Sequence, residues 1–135
     1  MRSSSADPDR TAIESVTNYL RLVEERRLEE ASEYLAPSVE IVFPGGRRFA
    51  DLNDQVAAAS DRYRHVRKVF DGFDVLEDEG VVIVYVFGEL EGEDLTGRRF
   101  ASVRFIDRFE LVDGLIAKHR VWNDLGVDAD VRGGR

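Results

Sequence analysis

Asp107 and His119 are the pair of residues in this sequence best placed to move a proton. They lie in two consecutive apolar-rich runs, Phe105-Ile-Asp-Arg-Phe-Glu-Leu111 and Leu115-Ile-Ala-Lys-His-Arg-Val121, joined by Val112-Asp-Gly114, which is a hairpin signal. Turn length decides what faces what. A two-residue Asp113-Gly114 turn sets Val112 opposite Leu115, Asp107 opposite Arg120 and Phe109 beside Lys118, mixing charged and apolar residues on one face. A three-residue turn with Gly114 in the left-handed conformation instead pairs Leu111 with Leu115, Phe109 with Ala117, Asp107 with His119 and Phe105 with Val121. The second register makes one coherent apolar face and is preferred. On it Asp107 and His119 are directly opposed, with Cβ atoms about 5 Å apart, and Asn123 lies further along. Arg104, Ile106, Ile116 and Trp122 then take the other face.

A carboxylate walled by Phe105 and Phe109 has its pKa raised by desolvation, unless His119 takes up a proton and holds it in an ion pair. Both states are useful. A neutral Asp donates a hydrogen bond, and an Asp-oriented His shuttles protons. The sequence has no cysteine and only two histidines, His65 and His119. A Cys nucleophile and a thiolate metal site are therefore excluded, no metal site is expected from histidine spacing, and the chemistry available is cofactor-free. The same pair also fits a satisfied polar network that fixes strand register, or a binding pocket without turnover. An open pocket of roughly several hundred Å³ with Asp107 at its base would mark a small-molecule role; a closed one would mark a scaffold.

The elements that must position these residues are legible in outline. Ile13, Val16, Leu20 and Val23 recur at helical spacing from about Asp9. Leu28, Ala31 and Leu35 restart the period in a shorter helix that ends before Pro37. Val39-Glu-Ile-Val-Phe43 reads as a strand, turned by Pro44-Gly-Gly46 into a short return near Arg48-Phe49. A third helix starts at Asp51 with Leu52, Val56, Ala59 and Tyr63 on one face. Four long strands follow, roughly 65–76, 81–91, 98–111 and 115–124. The order predicts an α+β fold: three N-terminal helices packed on a strongly curved, mostly antiparallel sheet. Val81-Val-Ile-Val-Tyr-Val-Phe87 is apolar at both parities, which predicts cover on both faces. The helices supply one cover, and a second copy of the chain, making a homodimer, is expected to supply the other.

The 135-residue chain carries a net charge of −8, which argues against nucleic-acid binding. No stretch approaches the about 18 apolar residues of a membrane span, so a cytoplasmic protein without membrane contact is expected. Residues 1–9 read as a disordered leader, 10–125 as one domain and 126–135 as a flexible tail. The basic cluster Tyr63-Arg-His-Val-Arg-Lys68 reads as a solvated strand edge.

Three segments carry a family likeness: Asn18-Tyr-Leu-Arg-Leu-Val23, Tyr34-Leu-Ala-Pro-Ser-Val-Glu-Ile-Val-Phe-Pro44 and Phe105-Ile-Asp-Arg-Phe-Glu-Leu-Val-Asp-Gly-Leu-Ile116. In this order they resemble the nuclear-transport-factor-2-like (NTF2-like) superfamily, and in particular its SnoaL-like members, over about residues 10–125. The resemblance implies a cone with an apolar pocket between sheet and helices, a scaffold shared by ketosteroid isomerases, polyketide cyclases, dehydratases, epoxide hydrolases and non-catalytic proteins. Set against ketosteroid isomerases, Tyr19 matches the oxyanion-hole tyrosine and Asp107 the protonated aspartate. The general-base aspartate that precedes a proline falls on Phe43 before Pro44, which leaves His119 to replace it. The resemblance thus implies an isomerase, lyase or cyclase acting on a small apolar or carbonyl-containing molecule. Tyr19 and Asp107 would be oxyanion donors and His119 the acid/base, with Phe43, Phe105, Phe109, Val121 and Asn123 lining the pocket. The alternative is a non-catalytic small-molecule-binding or accessory dimerisation module.

Overall fold

A computed structural model of the chain describes residues 8–126. The elements run α1 (Pro8–Glu24), α2 (Leu28–Ser32), β1 (Leu35–Phe43), a 3-10 turn (Pro44–Gly46), β2 (Arg47–Phe49), α3 (Leu52–Ser60), β3 (Tyr63–Asp78), β4 (Val81–Asp94), β5 (Arg99–Val112) and β6 (Leu115–Asn123). The six strands form one mixed sheet in the order β2-β1-β6-β5-β4-β3, in which only β1 and β6 are parallel neighbours. Helix α1 lays Ala12, Val16, Tyr19 and Leu20 into the core, against Val84, Val86, Phe105 and Phe109 from the sheet. Asp51 caps α3, its carboxylate accepting from the backbone N–H groups of Asn53 at 2.6 Å and Asp54 at 3.2 Å.

Several boundaries differ from the sequence reading, each for a local reason. Leu35 opens β1 instead of closing α2, because its pairing with Ile116 draws it into the sheet. Tyr63 begins β3 opposite Asp94 instead of extending the face of α3. Pro8 and Asp9, read as leader, form the first turn of α1, where proline's missing N–H costs nothing; residues 1–7 and 127–135, the rest of the leader and nearly all the tail, lie outside the described residues.

The last hairpin follows neither register weighed from sequence. Asp113 and Gly114 both have positive φ, 51° and 82°, forming a two-residue turn with Val112 opposite Leu115. The pairing then shifts: Leu111 faces Ile116, but Glu110 faces Lys118, so Ala117 is an extra residue on β6. This bulge reverses the parity of everything beyond it. Phe109 faces His119, Asp107 faces Val121 and Phe105 faces Asn123. The expected direct opposition of Asp107 and His119 is thereby corrected to a diagonal one, although both remain on the same face. Ile116, expected on the outer face, is instead buried in the core.

The bend of the sheet rests on a close approach. The β3–β4 register breaks between Phe70 and Gly72, and a Cβ on Gly88 of β4 would come within 2.0 Å of the Val69 carbonyl oxygen. Backbone cannot step aside as a flexible side chain can. Gly88→Ala is therefore expected to lower unfolding free energy by about 2 kcal/mol or more, measured as a fall in the urea midpoint.

Candidate functional site

Four elements bring one side chain each to the centre of the inner face. β5 supplies Asp107, β6 supplies His119, β3 supplies Lys68, and α1 supplies Tyr19. Asp107 has no exposed surface, and His119 is 4% exposed. One carboxylate oxygen, Oδ2, accepts from Lys68 Nζ at 2.8 Å and lies 3.1 Å from His119 Nε2. The Lys68 ammonium also stands over the Phe105 ring, 4.7 Å from its centroid. His119 is stacked on Phe109 at 4.1 Å between centroids, with Tyr19 edge-on at 5.9 Å and Phe43 at 6.5 Å. Tyr19 enters this group through its ring; the hydrogen-bonded chain is Lys68–Asp107–His119.

Lys68 changes the electrostatics expected from sequence. Burial by itself would raise the Asp107 carboxyl, but the Lys68 ammonium and the His119 imidazole outweigh it and hold the group below its ordinary value. Asp107 is thus a carboxylate, not the neutral hydrogen-bond donor that the ketosteroid-isomerase analogy implies. Burial dominates at His119 and, with the Lys68 charge, pushes its pKa down against the pull of Asp107. The imidazole is accordingly neutral near pH 7, with a proton on Nε2 directed at the carboxylate. Burial, seconded by the Asp107 charge, raises Tyr19, so its hydroxyl stays protonated. The basic cluster that contains Lys68 reads from sequence as a solvated edge, but Lys68 turns inward. The signal for its real place is parity: Val66, Lys68 and Phe70 alternate on the inward side of β3, while Arg64, His65 and Arg67 are exposed.

The remaining candidates separate. Phe105, Phe109 and Val121 are buried and Phe43 half-buried, all on the inner face around the pair. Asn123 sits opposite Phe105, and its side-chain oxygen accepts from the Leu125 N–H at 3.2 Å, closing the end of β6. Oδ1 of Asp107 and Nδ1 of His119 are buried without a hydrogen-bond partner among the described residues. A cavity of about 450 Å³ lies elsewhere, lined by His65, Glu91, Gly92, Arg99, Phe100 and Ala101. The candidate pair is not at its base.

The shifts set the pH dependence of stability. A buried His with a lowered pKa binds its proton more readily when unfolded, so its contribution is complete above the ordinary value of 6.5 and is lost as pH falls. Asp107 acts in the same direction lower down: its contribution is present above 3.8 and is lost as pH falls through the lower folded value. Urea midpoints should therefore decline from pH 7 to below pH 3.8, and His119→Gln should remove the upper part of that decline.

Comparison with known proteins agrees with this architecture. A family model described as "SnoaL-like domain" matches residues 16–119. No curated protein matches the chain significantly in sequence. Among solved structures, an NTF2-like protein of unknown function from Burkholderia pseudomallei superposes with a TM-score of 0.71 at 15% identity, over 90% of this chain and 95% of that one. TerC, co-crystallised with polyporic acid, gives 0.70 at 18% identity over 89% and 96%. A putative SnoaL-like polyketide cyclase from Jannaschia sp. CCS1 gives 0.66 at 17% identity over 96% of each chain. Likeness at such identities speaks for the fold alone. The family match over residues 16–119 goes further, and on it the chain belongs to the SnoaL-like domain family.

Proposed function

We propose that the chain is a cofactor-free acid–base catalyst for a small, largely apolar carbonyl compound, acting as an isomerase, lyase or cyclase. The observation that carries the reading is the pair of buried, unpartnered polar atoms, Nδ1 of His119 and Oδ1 of Asp107. Native interiors rarely leave such atoms without a partner, and both belong to groups able to handle a proton. In this reading Asp107 holds His119 through Nε2, which leaves the Nδ1 lone pair as the base. It removes a proton from carbon next to the substrate carbonyl and later returns it. Tyr19, kept protonated by burial, donates to the oxygen on which negative charge develops. Lys68 keeps Asp107 ionised, and Phe43, Phe105, Phe109 and Val121 provide the apolar wall. Asn123, already bonded to Leu125, is left at the periphery.

The test is deuterium uptake at the carbon next to the carbonyl of small cyclic enones, followed by NMR. Wild-type protein should catalyse exchange, the rate should fall in acid once His119 is protonated, at a pH below the ordinary imidazole value, and His119→Gln should lose about a hundredfold or more. Equal rates in both proteins would end the assignment.

A second reading, a binding or accessory module without turnover, is favoured by the near-complete burial of Asp107 and His119 and by the position of the cavity at His65 and Arg99. It predicts saturable enone binding with no exchange in any variant.

The homodimer belongs to the same proposal. On the outer face Ile106 and Trp122 are 38% and 48% exposed, beside Phe87 and an Arg108 whose guanidinium bonds the Tyr85 hydroxyl at 3.1 Å. Aromatic, aliphatic and Arg side chains together suit a protein interface. Light scattering at micromolar concentration should give a dimer mass, and Trp122→Glu should move it toward that of the monomer.

A further inference from the structure

Two side chains of helix α1 hydrogen-bond the backbone of β3 at one residue, Lys68. β3 is the last strand of the sheet, so alternate backbone groups on its free side have no strand to pair with. Such groups are ordinarily left to water or to a foreign strand. At Lys68 both are taken by side chains of α1. Glu24 Oε2 accepts from the Lys68 N–H at 2.8 Å, and Arg21 Nη1 donates to the Lys68 carbonyl at 3.0 Å. Arg21 Nη1 also bonds Glu24 Oε1 at 2.9 Å, and its guanidinium covers the Phe70 ring at 4.3 Å. The two side chains together do what one residue of a seventh strand would do. They are 32% and 17% exposed, so these bonds are stronger than those of a fully solvated pair.

We propose that Arg21 and Glu24 are positioning residues, which fix the Lys68 backbone at both its polar groups and thereby hold its ammonium against Asp107. The inference rests on the reading of Lys68, Asp107 and His119 as one proton-handling unit. Its chemistry is simple. Lysine has a long, flexible stem, and a charge on such a stem acts on a neighbour only as well as its root is held. Besides one another, the titratable groups facing the Asp107–His119 pair are Lys68 from β3 and Tyr19 from α1. Tyr19 stays neutral, so the positive charge at the site is that of Lys68. Loosening it lets the pair take up its proton at higher pH.

The measurement is the ¹⁵N titration of the His119 imidazole, made in a His65→Gln background so that one histidine is seen. Lys68→Gln, which keeps a donor but drops the charge, should move proton uptake by the pair to higher pH. Arg21→Met with Glu24→Leu should move it in the same direction and speed hydrogen exchange of the Lys68 amide by about tenfold or more. Arg27→Met with Glu30→Leu removes another ion pair spaced three residues apart, an exposed one at the start of α2, and should change neither. If the α1 double variant fails to fold, the single variants Arg21→Met and Glu24→Leu replace it, each expected to give part of the shift. A wild-type His119 titration in the α1 variants, with Lys68→Gln shifted, would overturn the positioning role. An unshifted Lys68→Gln would instead overturn the reading of the site itself.

Discussion

A carboxylate with no exposed surface sits among aromatic rings at the centre of this protein, and the surrounding structure is arranged to make that tolerable. Taking an ion out of water costs about several kcal/mol even after the protein relaxes. Asp107 meets this cost with an ammonium at 2.8 Å and an imidazole at 3.1 Å on the same oxygen. Both partners come from other strands. The ion is therefore satisfied only once β3, β5 and β6 are in register.

Much of the irregular geometry serves that meeting. The extra residue at Ala117 turns His119 to the inner face after a two-residue turn that would otherwise have sent it outward. Gly88 admits the backbone of β3 at Val69, one residue from Lys68. The Arg21–Glu24 pair holds the same stretch of β3 from the helix side. Phe105 and Phe109 flank the carboxylate along β5, with Lys68 over one ring and His119 stacked on the other. The aromatic rings exclude water from the charges, which strengthens each charge's hold on its neighbours.

This arrangement also separates the chain from the ketosteroid-isomerase pattern that its sequence resembles. There an apolar setting keeps an aspartic acid neutral so that it can donate. Here Lys68 keeps Asp107 ionised, so its part is to orient and charge-match His119. The oxyanion role that the analogy divides between two residues falls, in the proposed chemistry, to Tyr19 alone.

By itself the sequence determined the α+β order and the four long strands, because apolar periodicity and turn residues are local signals; it put Asp107 and His119 on one face only through a three-residue turn that the hairpin does not make. The absence of cysteine also excluded a thiol nucleophile and a thiolate metal site. Tertiary structure decided the rest. Whether Leu35 belongs to a helix or a strand depends on Ile116, which is distant in sequence, and the Ala117 bulge has no composition of its own. The inward turn of Lys68 was legible only as a weak parity beside Val66 and Phe70, overshadowed by the exposed basic residues around it. The charge state of Asp107 was least legible of all, because it depends on an ammonium 39 positions away in the chain.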